Sequence, residues 1–125
     1  MLKDRPSSAI VAVSDIARAK TFYSETLGLE IEEDGMGEVV VFRTGDTFLV
    51  VYQSEFAGSN RANAVVWSAG DEIEAITAAL KAKGVSFEHY PGEGMELNGD
   101  VHEAGGMKMV WFKDPDGNIL HMNSM

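Results

Sequence analysis

The sequence predicts an α+β protein built from two tandem βαβββ modules, and three observations carry that reading. Short β-type runs alternate with two stretches of helical periodicity, and the order of elements restarts after a linker rich in Gly, Ser and Asn. The halves also keep one spacing, since Gly28 and Gly84 are separated almost as Ile16 and Ile73 are. At 125 residues the chain suits one domain over 1–125. Module one covers about 7–53, the linker 54–62 and module two about 63–125.

In module one, Ser8–Val13 is an apolar run that reads as the first strand. Ser14 stands where a helix N-cap belongs, and Asp15 suits the positive first turn. From Asp15 to Leu27 the apolar residues Ile16, Ala19, Phe22, Tyr23 and Leu27 recur at intervals that place them on one helix face. Gly28 then supplies the left-handed residue that ends the helix. Leu29–Glu32 alternates as a strand, and Glu38–Thr44 and Thr47–Gln53 form a hairpin around Gly45-Asp46. Ser54–Ala62 lacks any period.

Module two opens with the apolar strand Asn63–Ser68. Its helix carries Asp71 and Glu74 at the spacing of a capping box and buries Ile73, Ile76 and Leu80. Gly84 ends it, and Val85–Glu88 follows as a strand. Met107–Lys113 and Asn118–Asn123 are the last two strands, joined by Asp114-Pro-Asp-Gly-Asn. In such a turn Asp114 and Asp116 serve to hold the backbone. Between Val85–Glu88 and Met107–Lys113, Tyr90–Gly106 is a long, glycine-punctuated segment, either disordered or a lid over a site.

Composition narrows the function. Twenty Asp and Glu against ten Lys and Arg give a net charge of −10, and no basic run could follow a phosphate backbone, so nucleic acid is excluded as a partner. The charge serves either solubility or the attraction of a cationic ligand. No stretch approaches the roughly 18 apolar residues of a membrane span, and the first residues lack the apolar core of a secretory signal. A cytoplasmic location without membrane partners is therefore expected. The absence of cysteine excludes disulfides, thiolate metal sites and a cysteine nucleophile. No nucleophile elbow, P-loop or dinucleotide glycine pattern is present.

The run Val13-Ser-Asp-Ile-Ala-Arg-Ala-Lys-Thr-Phe-Tyr-Ser-Glu-Thr-Leu-Gly-Leu resembles the opening of the vicinal oxygen chelate superfamily of glyoxalases, bleomycin-resistance proteins and extradiol dioxygenases. Trp111-Phe-Lys-Asp-Pro-Asp-Gly-Asn-Ile-Leu looks like its closing hairpin. The resemblance implies curved mixed sheets that form a cupped site, with four His or Glu ligands there in the metalloenzymes. The matching positions fall on Ser8, Val50, Val65 and His121, of which only His121 is a strong ligand. No metal and no cofactor are therefore expected. The alternative is a divalent cation held by His121 with His102 and His89 in a rearranged set.

Strand alternation extends this implied site. The inward, ligand-binding residues are Phe48, Val50, Tyr52, Asn63, Val65, Trp67, His121 and Asn123, with Ser8, Ile10, Ala12 and Ile119 beside them; Leu49, Val51, Val66, Leu120 and Met122 face the helices. An aromatic cup of this kind suits a flat or cationic small organic ligand, although Tyr52 and Trp67 read equally as core. His121 is the candidate catalytic acid or base, or else a structural histidine, and Glu93, Glu96 and Glu103 are its candidate carboxylate partners. The leading function is a small-molecule-binding protein of the bleomycin-resistance kind. A metal-dependent glyoxalase-like lyase or isomerase, or a dioxygenase, with rearranged ligands is the alternative, so the sequence leaves open whether the chain is an enzyme. A partner-binding domain is a third reading, and analogy with the superfamily implies a homodimer.

Overall fold

The computed structural model of the protein describes residues 1–90, 92 and 94–125. Its backbone divides into two units, Met1–Asn60 and Arg61–Met125. Each carries a mixed sheet and a short helix, so the α+β class holds. No helix among the described residues is long and apolar enough to cross a membrane.

The first unit orders its elements as β1 (Ala9–Val13), α1 (Ile16–Thr21), β2 (Glu30–Glu33), β3 (Val39–Thr44) and β4 (Thr47–Gln53). The sheet runs β1-β4-β3-β2, with β1 parallel to β4 and the other pairs antiparallel. α1 starts one residue later than the sequence suggests. Asp15, not Ser14, is its N-cap, because the Asp15 carboxylate accepts from the Arg18 backbone N–H at 3.1 Å. The Ser14 hydroxyl accepts from the Arg18 guanidinium instead.

Nor does the α-helix reach Leu27. After Thr21 it widens into one π turn, Phe22–Thr26, in which the Leu27 N–H bonds back to the Phe22 carbonyl at 3.0 Å. The extra residue in that turn accompanies the complete burial of Tyr23, whose ring meets Phe42 at 5.8 Å and Phe22 edge-on at 5.1 Å. Val11, Val13, Ala19, Val40, Leu49 and Val51 complete this core. At the sheet's far edge every residue of β2 is exposed. Arg43 pairs there with Glu32, and Lys20 with Asp34.

The second unit comprises β5 (Asn63–Ser68), α2 (Ile73–Ala82), β6 (Phe87–Glu88), β7 (Glu96–Asn98), β8 (Val101–Ala104), β9 (Met107–Lys113) and β10 (Ile119–Asn123). The sheet order is β5-β10-β9-β8-β7, and β6 pairs with the end of β9 that β8 leaves open. The core gathers Ile73 of α2, Val110 of β9 and Met122 of β10, with Trp67, Ile76, Phe87 and Val101 packed on it. Thr77 rather than Ile76 is the fully buried residue between Ile73 and Leu80 on α2.

Two expectations change here. The capping box of Asp71 and Glu74 is not made: a 3-10 turn, Gly70–Glu72, leads into α2, its N-cap Glu72 makes no side-chain capping bond, and Glu74 pairs with Lys108. The segment Tyr90–Gly106 is not one loop, because β7 and β8 form a hairpin inside it and extend the sheet. Strands of three and four residues are too short to show a period, so the sequence displays only the glycines around them.

The turn between β9 and β10 is built on a buried carboxylate. Asp114 accepts from the backbone N–H groups of Asp116 and Asn118 at 3.0 and 2.8 Å and from the Asn118 side-chain amide at 2.8 Å. Gly117, at φ +89, completes it. Replacing Asp114 with Ala removes the acceptor of three hydrogen bonds, and urea unfolding is expected to show a loss of about 2–4 kcal/mol, with Asp114→Asn retaining part of the stability.

Candidate functional site

In the first unit, register decides which side chains leave the core. Ile10 pairs with Val50, Ala12 with Tyr52, Val39 with Tyr52, Val41 with Val50 and Arg43 with Phe48. The intervening residues Val11, Val40, Phe42, Leu49 and Val51 are buried beside α1, so the paired set occupies the sheet's open face. Phe48, Val50 and Tyr52 are half-buried there, as the sequence places them, and Ile10 is 62% exposed. Ser8 precedes β1 and is exposed. Arg43, which sequence reasoning missed, lies 5.2 Å from the centre of the Phe48 ring.

In the second unit one irregularity reverses part of the expected pattern. Asn63 pairs with Ile119, but Val65 pairs with Leu120, so Ala64 is an extra residue on β5 and forms a bulge. Beyond it the faces exchange. Val65 is buried and Trp67 packs on Ile73, Val110 and Met122, whereas Val66, expected against the helix, is 58% exposed. Val65 and Trp67 are thus core residues. Val66 and Ser68 take the open face beside His121 and Asn123, and Asn63, ahead of the bulge, pairs with Ile119 and is exposed.

The open face of β9 and β10 holds an aromatic cluster. Trp111 lies across from His121 in the ladder, and the two rings stack at 4.6 Å and 28°. Tyr90 and His102 meet the same indole edge-to-face at 5.5 and 4.9 Å. Trp111 could have been found from the sequence: a tight turn at Asp114–Asn118 brings it opposite His121 in the hairpin. His102 and Tyr90 depend on the β7–β8 hairpin and on a contact between distant residues, which no local pattern signals.

His121 is 9% exposed. Its Nδ1 donates to the Val110 carbonyl at 3.1 Å, which leaves Nε2 with a lone pair near the Asn123 amide at 3.4 Å. Burial lowers its pKa below the ordinary value because the imidazolium loses hydration, and the carbonyl bond offsets this only in part. Of the three carboxylates predicted to assist it, the two described ones do not lie beside it. Glu96 and Glu103 face each other across β7 and β8, on the side of the sheet opposite His102, and Glu103 lies 3.9 Å from Lys108; Glu93 lies outside the described residues.

The donors offered to a divalent cation are few. Val50 and Val65 carry no ligating atom, His89 Nε2 is engaged by Asp100 at 2.9 Å, and His102 Nε2 accepts the Tyr90 backbone N–H at 2.9 Å. Among the described residues no three His, Asp or Glu side chains gather around one point. The residues at the superfamily's ligand positions therefore do not fit a metal centre. Two surface depressions lie away from the aromatic residues: one of about 360 Å³ is lined by Ser14, Glu38, Gln53, Ser54 and Glu55, and one of about 230 Å³ lies around Asp71, Gly106 and Lys108.

A depressed His121 pKa has a definite consequence for stability. The folded state binds a proton less readily than the unfolded chain, so the stability His121 contributes is complete above about pH 6.5 and is lost as pH falls toward the folded value. Proton NMR is expected to place its titration below 6.5. Wild type should also lose more unfolding free energy than His121→Gln between pH 7.5 and 5.5; equal losses would contradict the assignment.

Comparison with known proteins places this geometry in a family. The chain aligns over 98% of its length with a lactoylglutathione lyase from Agrobacterium tumefaciens, at a TM-score of 0.72 and 18% identity over 95% of that chain. An antibiotic-binding protein from a Streptomyces strain aligns at 0.71 and 26% identity, over 98% of this chain and 97% of that one. A fosfomycin resistance protein from Mesorhizobium loti gives 0.70 at 12% identity, over 100% and 94% respectively. Among curated proteins no sequence matches. The family model for glyoxalases, bleomycin resistance proteins and dioxygenases matches residues 5–122. With almost its whole length covered, the chain belongs to the glyoxalase/bleomycin resistance protein/dioxygenase superfamily, the vicinal oxygen chelate proteins.

Proposed function

We propose that the chain is a small-molecule-binding protein that holds a flat aromatic ligand, preferably a cation, against the open face of its second sheet without the help of a metal. The observation that carries this reading is the cluster of Trp111, His121 and Tyr90 on the open face of the second sheet. Stacked rings offer a broad polarizable surface to a planar molecule, and an indole attracts positive charge to its face. His121 adds one directional contact, since its Nε2 lone pair, which faces the Asn123 amide at 3.4 Å, can accept an N–H or O–H from a ligand that displaces that amide. Phe48, Val50 and Tyr52 offer a similar surface on the first sheet.

Charge and kinship support the same conclusion. A net charge of −10 raises the local concentration of cations and disfavours anions. Structural neighbours include an antibiotic-binding protein and a fosfomycin resistance protein. Among the described residues no carboxylate lies beside His121 to orient and stabilise an imidazolium, which supports a role as hydrogen-bond acceptor rather than proton shuttle.

Titration with proflavine, a planar aromatic cation, tests the proposal through quenching of tryptophan emission. Saturable binding is expected, equal in untreated and EDTA-treated protein. Trp111→Ala is expected to weaken it at least tenfold, about 1.4 kcal/mol. Near-stoichiometric Mn, Fe, Ni or Zn in protein purified without chelator, released by His121→Ala, would sink the metal-free reading.

A further inference from the structure

His102 has surroundings that packing alone does not account for. It lies on β8, on the same sheet face as Met109 and Trp111, and is 0% exposed. Its Nε2 accepts the backbone N–H of Tyr90 at 2.9 Å, so in the neutral ring the proton sits on Nδ1. That Nδ1 has no hydrogen-bond partner among the described residues. A buried donor without an acceptor costs free energy, and leucine would fill a similar volume without it. What imidazole adds is the acceptor for Tyr90.

The neighbouring residue is held as well. His89 bonds to Asp100 in the β7–β8 turn, and Asp100 also pairs with Lys81 on α2. Consecutive residues are thus tied to one hairpin, His89 by its side chain and Tyr90 by its backbone. The Tyr90 ring then meets Trp111 edge-on, and Trp111 stacks on His121. His102 touches both members of the edge-on pair, bonding Tyr90 and meeting Trp111 at 4.9 Å.

We propose that His102 is a positioning residue for the aromatic face: by accepting the Tyr90 N–H while wedged against Trp111, it fixes the spacing of the Tyr90 and Trp111 rings and so determines which planar ligands the face accepts. The ligand part of this assignment rests on the binding function proposed above. The positioning part does not, because it concerns ring placement in the free protein.

The test compares wild type with His102→Leu, which fills the space but accepts nothing, and His102→Gln, whose side-chain carbonyl can accept the Tyr90 N–H. Three readouts apply: Tyr90 amide exchange, the ring-current-shifted His121 Cε1–H resonance in ligand-free protein, and the proflavine dissociation constant. In His102→Leu, Tyr90 exchange is expected to quicken at least tenfold, the His121 resonance to move toward its unstacked position, and proflavine to bind about tenfold more weakly, with the melting temperature unchanged or higher. His102→Gln is expected to restore most of each. If exchange and resonance in His102→Leu match wild type, the proposal fails whatever proflavine does. It fails too if both variants melt early and lose binding equally. Wild type that does not bind proflavine would overturn the binding function alone.

Discussion

The seating of β10 between β5 and β9 is the constraint on which the second unit depends. Leu120 and Met122 are almost wholly buried, and removing such side chains from water contributes about 2 kcal/mol each. That gain fixes the parity of the strand, and with it sends His121 and Asn123 to the other face. The same ladder carries Trp111 to a position across from His121 and Val110 to one across from Met122. Core and candidate site are therefore two sides of one register.

Two local devices keep the register in place. Asp114 holds the β9–β10 turn with three accepted hydrogen bonds, so the two strands cannot slide by one residue without breaking them. The bulge at Ala64 solves a different conflict. Unbroken pairing from Asn63 onward would bring Ala64, Val66 and Ser68 to the core face and leave Val65 and Trp67 outside it. One unpaired residue lets the larger apolar side chains reach the core, a gain that outweighs a lost ladder bond.

Most of the backbone was legible because it obeys periodic rules. The apolar stripe of the first helix, the terminating glycines and the Gly45-Asp46 hairpin each reflect one short-range requirement, and the faces of Phe48, Val50 and Tyr52 follow from alternation along an undistorted strand. What escaped is what those rules do not contain. A bulge is a property of two strands together, so the faces of Val65, Val66 and Trp67 were misassigned. The π turn at Phe22 and the 3-10 entry to α2 depend on packing beneath them. On the site side, His121 and Asn123 were readable from the closing hairpin, while Trp111 required that hairpin's pairing, and Tyr90 and His102 a long-range bond.

The exposed edge strand β2 carries a consequence of its own. Glu30, Glu32 and Glu33 lie along an open row of backbone donors and acceptors, the kind of edge to which another extended chain can attach. A copy of the same strand docking there would come within about 5 Å and face carboxylate with carboxylate. The acidity concentrated on β2 thus acts as a guard against sheet-to-sheet growth. It does so most effectively at low ionic strength, and weakens where salt screens the charges or acid removes them.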